Sequence, residues 1–180
     1  MRIKATETAA LAIDFQERLI PVIFERDEIV KKTVILLKGL KALNVPFVIT
    51  RQYPKGLGDT LPEIRELTCD SASFDKLSFS AVGESEPQLA FKELKRKNII
   101  ICGVEAHICV LQSLLDLKAA GFHPVLVADC IGSRFPGNKE IAIHRAIQEG
   151  ATVTTAESIL FELTERAGTD TFKLISKLIK

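Results

Sequence analysis

The stretch IIICGVEAHICVLQSLLDLKAAG, residues 99–121, decides the fold. Residues 99–102 form a continuous apolar run, which is typical of a strand buried on both faces of a sheet. After Cys109 the apolar residues recur at helical spacing, and Gly121 is placed to end that helix. A buried strand that leads into an amphipathic helix indicates a parallel β–α–β arrangement.

The same alternation runs along the whole chain. Apolar runs at residues 9–13, 45–49, 125–128 and, more weakly, 151–154 predict further strands, and a short sixth strand is expected near Ser73 and Phe74. The sequence therefore predicts a single domain over residues 1–180, with a Rossmann-like, three-layer α/β/α sandwich and a parallel sheet of five to six strands.

Helix signals and one irregular interval complete this pattern. Asp27 is expected to cap a helix that ends near Asn44, and further helices are expected over residues 87–97 and 137–148. Residues 51–86 contain turn residues and many serines, so we expect a long irregular excursion there.

The composition limits the possible partners. The 180 residues include 24 Lys and Arg against 23 Asp and Glu, a net charge of +1, so no general footprint for nucleic acid is expected. No apolar run approaches the roughly 20 residues that cross a bilayer, and the first residues lack a signal-peptide core. We expect a cytoplasmic protein that acts on a small molecule, without nucleic-acid or membrane partners.

The four cysteines first suggest packing rather than chemistry. Cys69, Cys102, Cys109 and Cys130 form no C-x-x-C pair, and with three histidines no metal cluster or cofactor motif is evident. We therefore expect buried thiols and neither a metal nor a cofactor.

Cys109 departs from this expectation because it precedes the helix, where the helix dipole favours a thiolate. Asp14 directly follows the first strand, and ligands of parallel sheets bind beyond the carboxyl ends of the strands. Lys76, in the excursion, is also able to reach that edge. The alternative is that Asp14 caps a turn, Lys76 is solvated and Cys109 packs under the helix.

Four blocks then resemble the signature segments of the isochorismatase-like cysteine hydrolases: LAIDFQ (11–16), DKLSFSA (75–81), GVEAHICV (103–110) and VADCIGSR (127–134). The resemblance runs from about Thr8 to Leu163. Residues 50–58 and the end of the chain look most like the isochorismatase domain-containing proteins, and the resemblance implies the isochorismatase-like hydrolase fold.

The resemblance implies a catalytic triad. Cys109 would be the nucleophile, Asp14 its base, and Lys76 the residue that supports both. It also implies a cis peptide between Val104 and Glu105, with the backbone N–H groups of Glu105 and Cys109 as the oxyanion hole. The family commonly forms dimers or larger assemblies, so a homo-oligomer is expected.

Departures from the family pattern narrow the reaction. Nicotinamidases of this fold have a metal-binding Asp-x-His segment where this chain has residues 51–54, Arg-Gln-Tyr-Pro. True isochorismatases usually lack the nucleophilic cysteine. The predicted function is therefore a metal-independent hydrolase of a small amide or related C–N bond, acting through a thioester. An oligomeric binding or scaffold protein with little turnover and a redox-sensing thiol protein are the alternatives.

Five residues are candidates for substrate contact. Gln52 and Tyr53 follow the second strand, Phe15 and Phe79 would form apolar walls, and His107 lies beside the helix start. Each has a structural alternative: turn residues for the first two, core packing for the phenylalanines, and a structural hydrogen bond for His107. Gln16 is expected to support the Asp14 turn, and Asp129 and Arg134 to pin a loop.

Overall fold

One parallel sheet organises the molecule, in a computed structural model that describes residues 2–180. Its six strands lie in the order β3-β2-β1-β4-β5-β6. They are β1 (Thr8–Ile13), β2 (Phe47–Gln52), β3 (Ala72–Lys76), β4 (Asn98–Val104), β5 (His123–Gly132) and β6 (Thr152–Thr154). The predicted parallel sheet is confirmed, and the sixth strand expected near Ser73 is β3, at one edge.

Helices cover both faces of this sheet. They are α1 (Arg26–Ala42), α2 (Pro54–Leu57), α3 (Pro62–Thr68), α4 (Ser85–Leu94), α5 (Leu111–Ala119), α6 (Pro136–Gln148), α7 (Ala156–Thr164) and α8 (Asp170–Ile179). Helices α3, α7 and α8 pack against α1 on one face, and α4, α5 and α6 bury their apolar sides on the other. The predicted three-layer α/β/α sandwich is therefore confirmed.

The strands divide the core into two clusters because successive side chains point to opposite faces. All six residues of β1 are buried. Its Ala10 and Ala12 belong to the cluster under α1, whereas Leu11 and Ile13 belong to the cluster that also contains Cys109. This two-sided burial explains why the strand sequences are continuously apolar.

Two helix boundaries differ from the sequence prediction. Helix α1 starts at Arg26, after Glu25 in a left-handed conformation, so Asp27 lies in the first turn rather than at the cap. There its carboxylate faces the positive end of the helix dipole. Helix α4 ends at Leu94, because Lys95 adopts a left-handed conformation at φ 51°.

Residues 51–86 are also more regular than expected. This interval contains α2, α3 and β3, and both short helices have a proline at their first position. Proline there needs no N–H partner and already has a helical φ, which explains two helices in a segment dominated by turn signals. Cys69, expected to be buried, follows α3 and is exposed.

Candidate active site

The carboxyl ends of four neighbouring strands bring the candidate residues together. Asp14 follows β1, Gln52 and Lys76 are the last residues of β2 and β3, and Cys109 lies in the turn after β4. Val48 and Phe74 contact the same core cluster as Cys109. The alternation of strand side chains therefore directs Gln52 and Lys76 to the Cys109 side of the sheet.

Asp14 and Lys76 form a buried ion pair. Lys76 Nζ lies 2.8 Å from Asp14 Oδ2, and neither side chain is exposed to solvent. The same ammonium donates to Gln52 Oε1 at 2.6 Å and to the carbonyl oxygens of Phe79 at 3.0 Å and Ser78 at 3.3 Å. Buried charges are tolerated when they are paired and hydrogen-bonded, and Lys76 meets both conditions.

Cys109 lies in a single π-helical turn, Ala106–Val110, that precedes α5. Such turns often occur at functional sites. The thiol is 6% exposed, and the charges of both Asp14 and Lys76 act on it. The structure thus brings the three residues predicted as a triad into one buried cluster.

The protonation of this thiol differs from the sequence expectation. Burial first, and then the Asp14 charge, raise the pKa of Cys109 to about 12 against the opposing effect of Lys76. The pKa is not lowered as expected for a thiol at a helix start, because burial and a neighbouring carboxylate outweigh the ammonium. Cys109 is a neutral thiol at neutral pH.

The backbone around Cys109 contains an unusual peptide bond and a shared hydrogen-bond acceptor. The peptide bond between Val104 and Glu105 is cis. Ile108 and Val110 both donate to the Glu105 carbonyl, at 3.1 and 3.2 Å, and the Cys109 N–H between them does not share that acceptor. The side chain of Glu105 is buried and accepts hydrogen bonds from Arg134 N at 2.9 Å and Arg134 Nε at 3.1 and 3.2 Å.

The residues predicted to have structural roles form such contacts. Gln16 exchanges hydrogen bonds with the backbone of Gln52 at 2.7 and 3.0 Å, which ties the ends of β1 and β2 together. Asp129 accepts from the Ala156 N–H at 2.8 Å, and Arg134 is held by Glu105. These contacts hold the loops around the candidate site.

The five candidate substrate contacts separate into different environments. Phe15 is 2% exposed and belongs to the core cluster under α1, whereas Cys109 belongs to the other cluster, so the structure gives Phe15 a packing position. Gln52 binds Lys76. Tyr53 and Phe79 are about half exposed, at 50% and 54%. Tyr53 also lines a cleft of about 430 Å³ whose walls include neither Asp14 nor Cys109.

His107 is held on both sides of its ring. Its Nδ1 lies 3.0 Å from Ser133 Oγ and its Nε2 lies 3.3 Å from Asn138 Nδ2. These contacts agree with the structural alternative for this residue.

Two buried hydroxyls contact the triad and were not predicted from sequence. Thr50 Oγ1 donates to Asp14 Oδ1 at 2.9 Å. Ser113 Oγ donates to the Cys109 carbonyl at 2.6 Å and accepts from the Ala81 N–H at 2.7 Å, so it links the turn that contains Cys109 to the loop after Lys76. For Thr50 a signal existed, because a polar residue two positions after Val48 faces the same side of β2.

The described part of the chain contains no suitable set of side chains for binding a metal ion. No group of three or more His, Cys, Asp or Glu side chains in residues 2–180 is placed to hold a metal ion. In the segment where nicotinamidases have their Asp-x-His motif, Arg51 binds Asp59 and Asp75 at 2.7 and 2.8 Å. An arginine paired with two carboxylates does not fit a metal site.

The family follows from a match that spans most of the chain and includes all four site strands. A model of the isochorismatase domain matches residues 8–158. The chain belongs to the isochorismatase family. The resemblance seen in the four sequence blocks is thereby confirmed.

Individual members of the isochorismatase family show how closely the chain is related. It is 39% identical over 171 residues to the secreted isochorismatase effector Isc1 of Phytophthora sojae, covering 93% of this chain and 81% of the relative. It is 34% identical over 179 residues to isochorismatase domain-containing protein 2 of Danio rerio, covering 99% of this chain and 89% of the relative. The chain is therefore close to the isochorismatase domain-containing subgroup.

Solved isochorismatase-like structures share the fold. A structure described as MAR1 ribonuclease from Caenorhabditis elegans is 34% identical, has a TM-score of 0.92, and the match covers 99% of this chain and 92% of that one. YcaC of Escherichia coli, described as an octameric hydrolase of unknown specificity, has a TM-score of 0.93 at 23% identity, over 99% of this chain and 90% of that one. This second likeness supports the fold alone.

Proposed function

We propose that this member of the isochorismatase family is a metal-independent cysteine hydrolase, which cleaves a small amide or related C–N bond through a thioester on Cys109. The observation that supports the proposal is the buried convergence of Asp14, Lys76 and Cys109 at the carboxyl edge of the sheet. A nucleophile that contacts a base, with the base held by a third group, is the arrangement that covalent catalysis requires.

The chemistry begins from the neutral thiol. Asp14 takes the Cys109 proton as Sγ attacks the amide carbon, and the resulting oxyanion accepts hydrogen bonds from the backbone N–H groups of Glu105 and Cys109. Collapse of this intermediate breaks the C–N bond, and the proton on Asp14 passes to the departing ammonia or amine. Lys76 holds the carboxylate in place and compensates its charge throughout.

Hydrolysis of the thioester completes the cycle. Asp14 removes a proton from water, the hydroxide attacks the thioester carbon, and the C–S bond breaks. The products are a carboxylic acid and the regenerated Cys109 thiol. Every proton of the proposed cycle therefore passes through the Asp14 carboxylate.

Substrate size and polarity follow from the surroundings of the thiol. With 6% of Cys109 exposed, only a small acyl group reaches Sγ without movement of the surrounding loops. The exposed side chains of Tyr53, Leu77 and Phe79 provide apolar surface beside the ends of β2 and β3. We propose an uncharged or weakly charged small amide whose apolar part rests on these side chains.

The decisive experiment measures ammonia release from a panel of small primary amides. The wild-type protein should release ammonia from at least one, Cys109→Ala should not, and Cys102→Ala should retain the activity because Cys102 is buried in β4 away from the triad. Ammonia release by Cys109→Ala at the wild-type rate would contradict the mechanism. No release from any amide by folded wild-type protein would favour the binding or scaffold alternative.

An RNA substrate belongs in the same assay, since the C. elegans relative is described as a ribonuclease. The net charge of +1 provides no general attraction to a polyanion, so no cleavage of single-stranded RNA is expected. RNA cleavage that depends on Cys109 would overturn the proposed substrate class.

We also propose an oligomeric state and a cellular location for the protein. A homo-oligomer is proposed for this chain; the fold relative YcaC is described as octameric. A cytoplasmic location is likewise proposed, although the P. sojae relative is named a secreted protein. No helix within residues 2–180 combines the length and apolar character that a membrane crossing needs.

A further inference from the structure

Thr50 contacts Asp14 through both its backbone and its side chain. The Asp14 N–H donates to the Thr50 carbonyl at 3.1 Å, and Thr50 Oγ1 donates to Asp14 Oδ1 at 2.9 Å. Thr50 is fully buried and lies on β2, the strand between those that contribute Asp14 and Lys76. Asp14 itself has a left-handed φ of 56°, so its orientation depends on such contacts.

These contacts make the two carboxylate oxygens of Asp14 different. Oδ1 accepts the Thr50 hydroxyl, whereas Oδ2 lies 2.8 Å from Lys76 Nζ but has no well-directed hydrogen bond within the described residues. The charged or titratable groups that face this carboxylate are Lys76 from β3 and Cys109 from the turn after β4. An unfilled acceptor position on a fully buried oxygen is therefore available to a proton.

We propose that Thr50 is a positioning residue that directs the Cys109 proton to Oδ2 of Asp14. The inference rests on the proposed role of Asp14 as base. In this step the S–H bond breaks, an O–H bond forms at Oδ2, and the Thr50 hydroxyl continues to donate to Oδ1. A donor on Oδ1 favours the charged carboxylate, which is the form that accepts the proton.

Alkylation of Cys109 by iodoacetamide provides a test that needs no natural substrate. If Asp14 accepts the thiol proton, the rate of alkylation is constant at higher pH and decreases at lower pH, where Asp14 is already protonated. We call this decreasing part of the pH profile the acidic limb. Thr50→Val keeps the shape of the side chain but removes the donor, and it should move this limb upward by about one pH unit. Alkylation at a fixed pH on the limb should then be about tenfold slower.

Two variants separate the hydroxyl from mere packing. Thr50→Ser retains the donor and should keep the wild-type limb. Thr33→Val makes the same substitution at an equally buried threonine of α1, on the other face of the sheet, and should leave the limb unchanged. Peptide mapping by mass spectrometry measures the alkylation of Cys109 separately from that of the other cysteines.

Three results would overturn the role of Thr50: a limb unmoved in Thr50→Val, an equal shift in Thr50→Ser, or a wild-type rate that rises with pH without a plateau. Should Thr50→Val not fold, as judged by circular dichroism, Thr50→Ala takes its place. Failure of the proposed function is distinguishable, because wild-type protein would then release no ammonia from the amide panel while the alkylation limb still shifted with Thr50→Val.

Discussion

Replacing Lys76 by methionine should destabilise the protein more than any surface charge removal. Both side chains of the Lys76–Asp14 pair are unexposed, and Nζ lies 2.8 Å from Oδ2. Removing one partner leaves Asp14 charged in the interior, and breaking a buried pair in this way costs about 3–5 kcal/mol. After the substitution, the Thr50 hydroxyl still donates to that carboxylate.

The opposite substitution should cost less. In Asp14→Asn, the Lys76 ammonium keeps the acceptors Gln52 Oε1, Ser78 O and Phe79 O, one for each of its N–H donors. The double variant Asp14→Asn/Lys76→Met removes both charges, so its loss should be smaller than the sum of the two single losses. The contacts therefore predict a larger loss of stability for Lys76→Met than for Asp14→Asn, and a loss for the double variant that is smaller than the sum of the two.

Urea unfolding at neutral pH, followed by circular dichroism, measures these free energies. Lys31→Met serves as the control, because its pair with Glu28 is 3.6 Å long and both side chains are more than half exposed. That variant should change stability by no more than about 0.5 kcal/mol. A loss below about 1 kcal/mol for Lys76→Met, or strict additivity in the double variant, would refute the buried-pair argument.

Three further changes have defined outcomes. Gly103→Ala should cost at least about 3 kcal/mol in urea unfolding, because φ is 138° and a Cβ would lie 2.3 Å from the Ile13 carbonyl oxygen; wild-type stability would contradict the close strand approach. Burial raises the pKa of Cys102 from 9.0 to about 12, so above pH 9 the folded state retains a proton that the unfolded state loses. The free energy of unfolding should therefore fall as pH rises above 9. If its dependence on pH between about pH 8 and about pH 10 is unchanged in Cys102→Ala, this prediction is wrong. Ser113→Ala should lower kcat, and it should cost about 1–3 kcal/mol of stability because two buried backbone groups lose their partner. Ser113→Thr keeps a hydroxyl and should recover part of the kcat and part of the stability. Equal losses in the two variants would argue against the hydroxyl bridge.

The sheet and its site edge were predictable because local sequence determines them. Continuous apolar runs have to be buried on both faces, and a polar residue directly after such a run, as Asp14 is after Ile13, lies at the carboxyl edge. Residues 103–110 gave the position of Cys109 for the same reason. The convergence of Asp14 with Lys76 depends on the order of strands β3, β2 and β1, which the periodicity did not give. The family resemblance implied the triad without the strand order.

Other features depend on tertiary contacts that no local pattern encodes. Alternation along β2 places Thr50 on the face that Cys109 shares, but a threonine within a strand is common, and nothing local indicated its bond to Asp14. The protonation of Cys109 was mispredicted because a helix end favours the thiolate, whereas burial, which sequence does not quantify, favours the thiol. Strand alternation would place Phe15 on the face of Leu11 and Ile13, beside Cys109. The left-handed conformation of Asp14 interrupts that alternation, and Phe15 lies in the opposite core cluster.

Intact-protein mass spectrometry during turnover of a reactive small amide or ester tests the central claim most directly. The thioester mechanism predicts an increase in mass equal to the acyl group, located on the peptide that contains Cys109, and its absence in Cys109→Ala. Cys102→Ala should acquire the same adduct as the wild-type protein. Turnover without any adduct on Cys109, together with undiminished turnover in Cys109→Ala, would contradict the proposed reaction.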